Sequence, residues 1–256
     1  MPRRAGLVSI SPMPPETLWI LTAAVFTVAI LYSSVGHAGA SGYIAVMSLL
    51  SVAPAEVKPI ALALNILVAS IGTFQFWRAG HFSWPLFWPF ALLSVPFAFI
   101  GGYLDLPTQI FKILVGIVLL LSAFQFLVRP PAESEPRQPP RLVALGAGSL
   151  LGLLSGLTGT GGGIFLTPLL IFMHWGRTRT AAAVSAPFIL LNSASGLAGN
   201  FSATKSFPAF AWALVIAVVV GGSIGSWFGS RHLPHLVIKR LLAIVLTIAG
   251  FKLILT

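Results

Sequence analysis
The sequence predicts an all-α integral membrane protein: two inverted repeats of about five helical segments each, with short broken or re-entrant helices following glycine-rich breaks. Three observations predict it. Of 256 residues, 57% are hydrophobic and only 8% charged, whereas a soluble domain carries roughly 25% charged residues. The apolar runs are continuous and about 20 residues long, the length of a spanning helix, and lack the short alternation of a membrane β-barrel. Two further apolar pieces are about a dozen residues long, too short to cross a core of about 30 Å, and each follows a glycine-rich stretch.

In chain order, residues 1–16 form a short tail with Arg3, Arg4 and the prolines Pro12, Pro14 and Pro15. No small-residue cleavage site follows, so Thr17–Val35 is expected to be an anchor and not a removed signal peptide. The first membrane repeat, residues 17–128, has long segments at Thr17–Val35, Glu56–Trp77, Ser83–Leu104 and Pro107–Val128, and a short one at Gly42–Val52 ended by Pro54. Residues 129–140 hold five prolines and four charges and form an exposed linker. The second repeat, residues 141–256, has long segments at Arg141–Leu157, Arg179–Phe201, Phe207–Gly229 and Pro234–Leu255, and a short one at Gly163–Trp175.

The two halves match. "LPTQIFKILVGIVLLLSAFQFLV" from Leu106 and "LPHLVIKRLLAIVLTIAGFKLIL" from Leu233 share, without gaps, Leu, Pro, Lys112/Lys239, an Ile-Val-Leu triplet and Phe124/Phe251. "AGHFS" (Ala79–Ser83) answers "AGNFS" (Ala198–Ser202), and Gly101-Gly102 answers Gly221-Gly222. Five crossings per half is an odd number, which inverts the second half. With both termini outside, nine basic residues lie inside and six outside, in the sense of the positive-inside rule. The alternative keeps the short segments re-entrant and leaves eight true spans.

Charge and composition exclude several functions. The net charge is +10, from 15 Lys+Arg against 5 Asp+Glu, yet no basic run with aromatic interleaving marks a nucleic-acid surface; the excess suits loops at an anionic lipid bilayer. There is no cysteine, hence no disulfide, thiol nucleophile or Cys metal site. The acids Glu16, Glu56, Asp105, Glu133 and Glu135 all fall at segment ends or in the linker. That disfavours a carboxylate proton relay and a carboxylate cation site. No catalytic constellation or metal cluster has the required spacing, so neither an enzyme nor a cofactor or metal is expected.

The chemistry is expected at the breaks. "GLTGTGGGIF" (Gly156–Phe165) places five glycines in eight residues. Inside lipid, irregular backbone survives only where protein or a water-filled cavity covers it. Helix N-termini present free N–H groups and partial positive charge, and glycine lets an anion approach them. Thr158, Thr160, Gly161, Gly162 and Gly163 precede one short helix; Ser33, Ser34, Gly36, His37, Gly39, Ser41 and Gly42 precede the other. A pair of such ends would cradle a small anionic substrate, with hydroxyl donors from the serines and threonines. Close helix packing is the competing reading of the glycines, and the one given to Gly146, Gly148 and Gly152. No Gly-Lys-Ser/Thr follows the run, so it is not a soluble-type phosphate loop. Among polar residues inside apolar helices, Asn65, Ser185 and Asn192 face the cavity or a neighbouring helix. Gln75 and Arg78 end a segment and serve as gate or interface. His37 is the histidine nearest the chemistry; His81, His174, His232 and His235 read as interfacial.

The paired breaks "GHAGASGYIAVMSLL" and "GLTGTGGGIFLTPLL", with "FWRAGHFSW" closing the helix after the first, resemble the TauE/SafE family, also described as sulfite or sulfonate exporters. The resemblance runs from Thr17 to Leu255. Pro168 makes the second motif the more specific; in the first, Ala38, Ala40 and Ser41 replace glycines and Met47 stands where a proline is expected. The resemblance implies movement of small sulfur-containing anions such as sulfite, sulfoacetate or other organosulfonates across the bacterial inner membrane, in either direction. The expectation is thus a secondary transporter or facilitator working by alternating access. An anion channel with a fixed constriction and a non-transporting membrane assembly subunit are the alternatives. Nothing in the sequence marks an oligomeric state.

Overall fold
The computed structural model describes residues 14–34, 37–127, 135–204, 210–229 and 235–255. Gly36, Arg129, Glu133, Lys205, Phe207, Arg231, His232 and Pro234 lie outside them, as does the tail before residue 14. The described residues form ten helices: α1 Pro15–Ser34, α2 Ala40–Leu49, α3 Pro54–Arg78, α4 Trp84–Tyr103, α5 Thr108–Leu127, α6 Arg141–Thr158, α7 Gly163–Phe172, α8 Thr178–Thr204, α9 Ala211–Gly229 and α10 His235–Leu255. The expected order of long and short segments holds, with ends shifted by a few residues. Among the described residues, five stretches are long and apolar enough to cross a membrane: Pro15–Ser33, Pro54–Arg78, Trp84–Tyr103, Arg141–Thr158 and Arg179–Ala203.

Polarity runs opposite to that of a soluble bundle. Leu92, Phe97, Phe99 and Ile100 on α4, Ile117, Leu121 and Phe124 on α5, and Trp212 and Ile216 on α9 are exposed. Asn65, Ser94, Ser122, Ser155, Thr158, Ser185, Asn192 and Ser193 are fully buried. Hydrocarbon outside and hydrogen-bonding groups inside is the arrangement lipid imposes. Trp77 stacks on Phe82 at 5.5 Å, with Trp84 and Phe87 close by, so aromatics gather at the α3–α4 turn as they do at a membrane–water boundary.

Helices from opposite halves pack on each other. α3 and α8 run antiparallel: Leu62 meets Gly196, Asn65 meets Ser193 and Gly72 meets Ala186. α4 and α6 run parallel, because Gly148, Gly152 and Gly156 face the carbonyls of Phe90, Ser94 and Ala98 in step. α1 and α9 repeat that device, Gly221 and Gly225 facing the carbonyls of Phe26 and Ile30. Without a hydrophobic drive between helices in lipid, such close backbone approach supplies the dispersion and weak C–H···O contacts that hold them. Gly146 departs from the packing expectation: it is exposed, with nothing within 4 Å of where a β-carbon would stand.

Gly152→Ala drives a methyl into the Ser94 carbonyl and is expected to cost about 1–3 kcal/mol, the usual range for overpacking. Gly146→Ala is expected to leave thermal unfolding in detergent unchanged or slightly raised, through helix propensity. Equal melting shifts for the two variants would contradict this packing.

Candidate functional site
Each short helix is framed by the same two backbone devices. α2 starts from Gly39 at φ 97° and α7 from Gly162 at φ 76°, both in the left-handed region. α2 ends through Ser51 at φ 58° and α7 through His174 at φ 55°. The bond Val52 N–H to Met47 O (2.9 Å) on the first side has its counterpart in Trp175 N–H to Leu170 O (2.8 Å). The glycine run also carries Gly159 at φ 80° and Gly161 at φ 76°. Three left-handed residues in four explain why this stretch is glycine, since side chains rarely tolerate that region.

The second break lies against the middle of α3 and α8. A β-carbon on Gly161 would stand 2.5 Å from Asn65 Nδ2 and 2.9 Å from Ser193 Oγ, and one on Gly163 would collide with Ile189. Asn65 donates through Nδ2 to Thr160 O (3.2 Å) and Ser193 Oγ (3.3 Å). A carbonyl only accepts, so this bond fixes the amide orientation and leaves Oδ1 as the free end. Asn65 Oδ1 has no partner among the described residues. Asn192 behaves alike: Nδ2 donates to Phe188 O at 2.9 Å, and Oδ1 is buried and unpartnered. Both asparagines therefore turn Nδ2 to partners within the protein and leave Oδ1 unpartnered among the described residues.

The hydroxyls are mostly committed as well. Thr158 Oγ1 donates to Leu154 O at 2.6 Å and lies 2.9 Å from Thr160 Oγ1. Ser41 Oγ pairs with Tyr32 Oη at 2.9 Å, and Ser185 Oγ accepts from Thr167 at 2.7 Å. Ser33 Oγ and Ser155 Oγ are buried without a partner among the described residues. Beside the Ser155 hydroxyl, main-chain donors remain at the second break: Gly163 and Ile164 N–H, in the buried first turn of α7, make no hydrogen bond with a described residue, and α7 has no side-chain cap. Uncapped, desolvated N–H groups at a helix start favour negative charge.

The first break is separated from the second by one side chain. Ile189 faces Gly161 and Gly163, and it also lines a cavity of about 10 Å³ with Ser33, His37, Gly72, Ala186 and Ser226. That volume is about one water's worth. Of the residues expected at the site, Asn65, Thr160, Gly161, Gly162, Gly163 and Thr158 come together at the second break; Ser33 and His37 meet at the small cavity; Ser41 and Gly42 lie behind it, packed on Tyr32. The Ser34 side chain is outside the described residues. Gln75 is half-buried, and Arg78 is exposed with its guanidinium 5.5 Å over the Phe74 ring, an interfacial position.

Ser193, Ile189 and Thr167 belong to this neighbourhood without having been singled out, as does Lys58. Lys58 is buried and donates to Gly102 O and Leu104 O, both at 3.0 Å, closing the C-terminus of α4, while its backbone packs against Gly159. Lys252 closes the C-terminus of α2 in the same way, through Ser48 O (3.0 Å) and Leu49 O (2.8 Å). These lysines satisfy helix-end carbonyls and complement the helix dipole.

A helical bundle with apolar walls, a buried polar interior and two short helices at glycine breaks defines a polytopic membrane protein. The family model described as "Sulfite exporter TauE/SafE" matches residues 21–253, and the chain belongs to that family. It is 40% identical over 239 residues to "Probable membrane transporter protein y4hK" of Sinorhizobium fredii, covering 91% of this chain and 97% of that one. It is 27% identical over 140 residues to "Probable membrane transporter protein MJ0441" of Methanocaldococcus jannaschii, covering 52% of this chain and 51% of the other. No solved structure matches significantly.

Lys58→Met strands two carbonyls and is expected to lower stability by about 1–3 kcal/mol, the desolvation cost of unmatched buried groups. Arg179→Met, at an exposed position, should stay within about 0.5 kcal/mol. Chemical denaturation in mixed micelles measures both.

Proposed function
We propose that the protein is a secondary transporter or facilitator for small sulfur-containing anions, such as sulfite, sulfoacetate or other organosulfonates, across the bacterial inner membrane. The anion sits at the glycine break before α7. The observation that carries this reading is the pair of uncapped, buried N–H groups of Gly163 and Ile164 at the start of α7. The family description and the transporter relatives support the substrate class and the transport role.

Two inverted repeats, residues 17–128 and 141–256, would supply the machinery. In support, α3 and α8 occupy equivalent places and run antiparallel, while α4 on α6 and α9 on α1 exchange places when the halves are exchanged. Rocking of one half on the other about these glycine seams would open the break to alternate sides. Ile189, between the two breaks, has to move for a solute to pass, since the space beside it holds about 10 Å³.

Thr160→Ala and Gly162→Leu are expected to abolish flux of a sulfonate into proteoliposomes while the protein still inserts and purifies. Undiminished flux in both would remove the break from the pathway. Flux that rises linearly without saturation would favour a channel.

A further inference from the structure
A second cavity lies away from the breaks. A cleft of about 390 Å³ opens where the α3–α4 turn, the segment before α6 and the α7–α8 turn meet. We infer that this cleft is a second anion-binding site, built for a sulfate- or phosphate-like group and separate from the glycine break.

Its lining includes His81, Arg137 and Arg177, the hydroxyls of Ser83 and Thr180, and no acidic side chain. None of the three basic side chains makes a hydrogen bond or ion pair with a described residue. The nearby acid of the described linker, Glu135, is exposed and outside the lining. Three long helices start here. α4 begins after Ser83, α6 after Pro140 and α8 at Thr178; α4, α6 and α8 are mutually parallel, as Val95 with Ser195 and Phe99 with Gly199 show for α4 and α8. Their positive dipole ends therefore add at one mouth, and neither α4 nor α6 has a side-chain cap. The cleft is held in shape: Arg137 N–H donates to His174 O at 2.8 Å, tying the linker to the α7–α8 turn, and Trp175 packs on Phe90 at 6.0 Å. Its volume lies in the range of small-ligand pockets. Arg137 and Arg177, both exposed, line the same cleft, and forked guanidinium contacts are the usual means of recognising a tetrahedral oxyanion.

The group has two sources, a free oxyanion or the phosphate of an anionic phospholipid, and two arms separate them. Sulfate is titrated calorimetrically into the purified full-length protein, and retention of phosphatidylglycerol is followed by native mass spectrometry. The variants are Arg137→Gln/Arg177→Gln and, as a control of equal charge change, Arg141→Gln/Arg179→Gln, whose residues do not line the cleft. The cleft pair is expected to weaken sulfate binding by about tenfold or more, one charge-assisted hydrogen bond's worth, while the control stays within about twofold. Loss of retained lipid from the cleft pair alone, with no sulfate effect, also supports the site and assigns it to a lipid headgroup. Unchanged sulfate and lipid binding in the cleft pair, or equal weakening in both pairs, overturns the inference. Far-UV circular dichroism of both pairs excludes misfolding.

Discussion
A backbone that leaves its helix inside hydrocarbon has to find hydrogen-bond partners or protein cover, and in this molecule Asn65 supplies the first of them. Its amide crosses from α3 to the Thr160 carbonyl of the second break and to Ser193 of α8. One side chain thus links the two halves of the chain at the point where the helix is interrupted. Around that link, Ile189 closes the gap left by the glycines, Thr158 and Thr160 satisfy each other, and Lys58 secures the neighbouring helix end. The break is a built feature, and removing Asn65 would leave an acceptor buried without a donor.

The same economy bears on the charge preference proposed for the break. Most buried side-chain donors at the second break are spent on structure, Ser155 Oγ excepted, and main-chain N–H groups remain unpaired at the start of α7. Asn65 Oδ1 and Asn192 Oδ1 remain nearby as unpaired acceptors. A ligand suited to both carries negative oxygens and brings a donor of its own, as a bound water or a protonated oxyanion would. A hydroxyl whose proton is committed to its own helix is a weaker donor to a ligand. Thr158, for example, points its proton at Leu154 O, the back-bond that a threonine in a helix commonly makes.

Much of the architecture was legible before any coordinates. Lipid forces long apolar runs and tolerates glycine clusters only at special places, so the ten segments and the two breaks stand out in a one-dimensional reading. The equal length of α2 and α7, each 10 residues, follows from the paired sequence pattern. The inner faces were not legible. These helices are apolar on all sides, so no stripe of polarity tells which residue points inward. Asn65 and Asn192 drew notice because amides are costly in lipid. Ser193 and Ile189 did not, although they touch the break, because serine and isoleucine are ordinary in such helices. Lys58 stands near the start of the segment Glu56–Trp77 with no partner nearby in sequence, and only the third dimension brings the carbonyls of Gly102 and Leu104 to its ammonium group.

The central claim is that the break before α7 binds an oxyanion in the folded protein. The most direct measurement is the thermal stability of the purified protein against sulfite, sulfate, thiosulfate, taurine, sulfoacetate and a carboxylate control, compared with Gly162→Leu. A ligand of the native state raises the melting temperature by mass action. The account predicts a saturable rise with one or more sulfur oxyanions that the carboxylate does not reproduce and that Gly162→Leu loses. The same rise in the wild type and the variant, or none with any sulfur oxyanion, would contradict it.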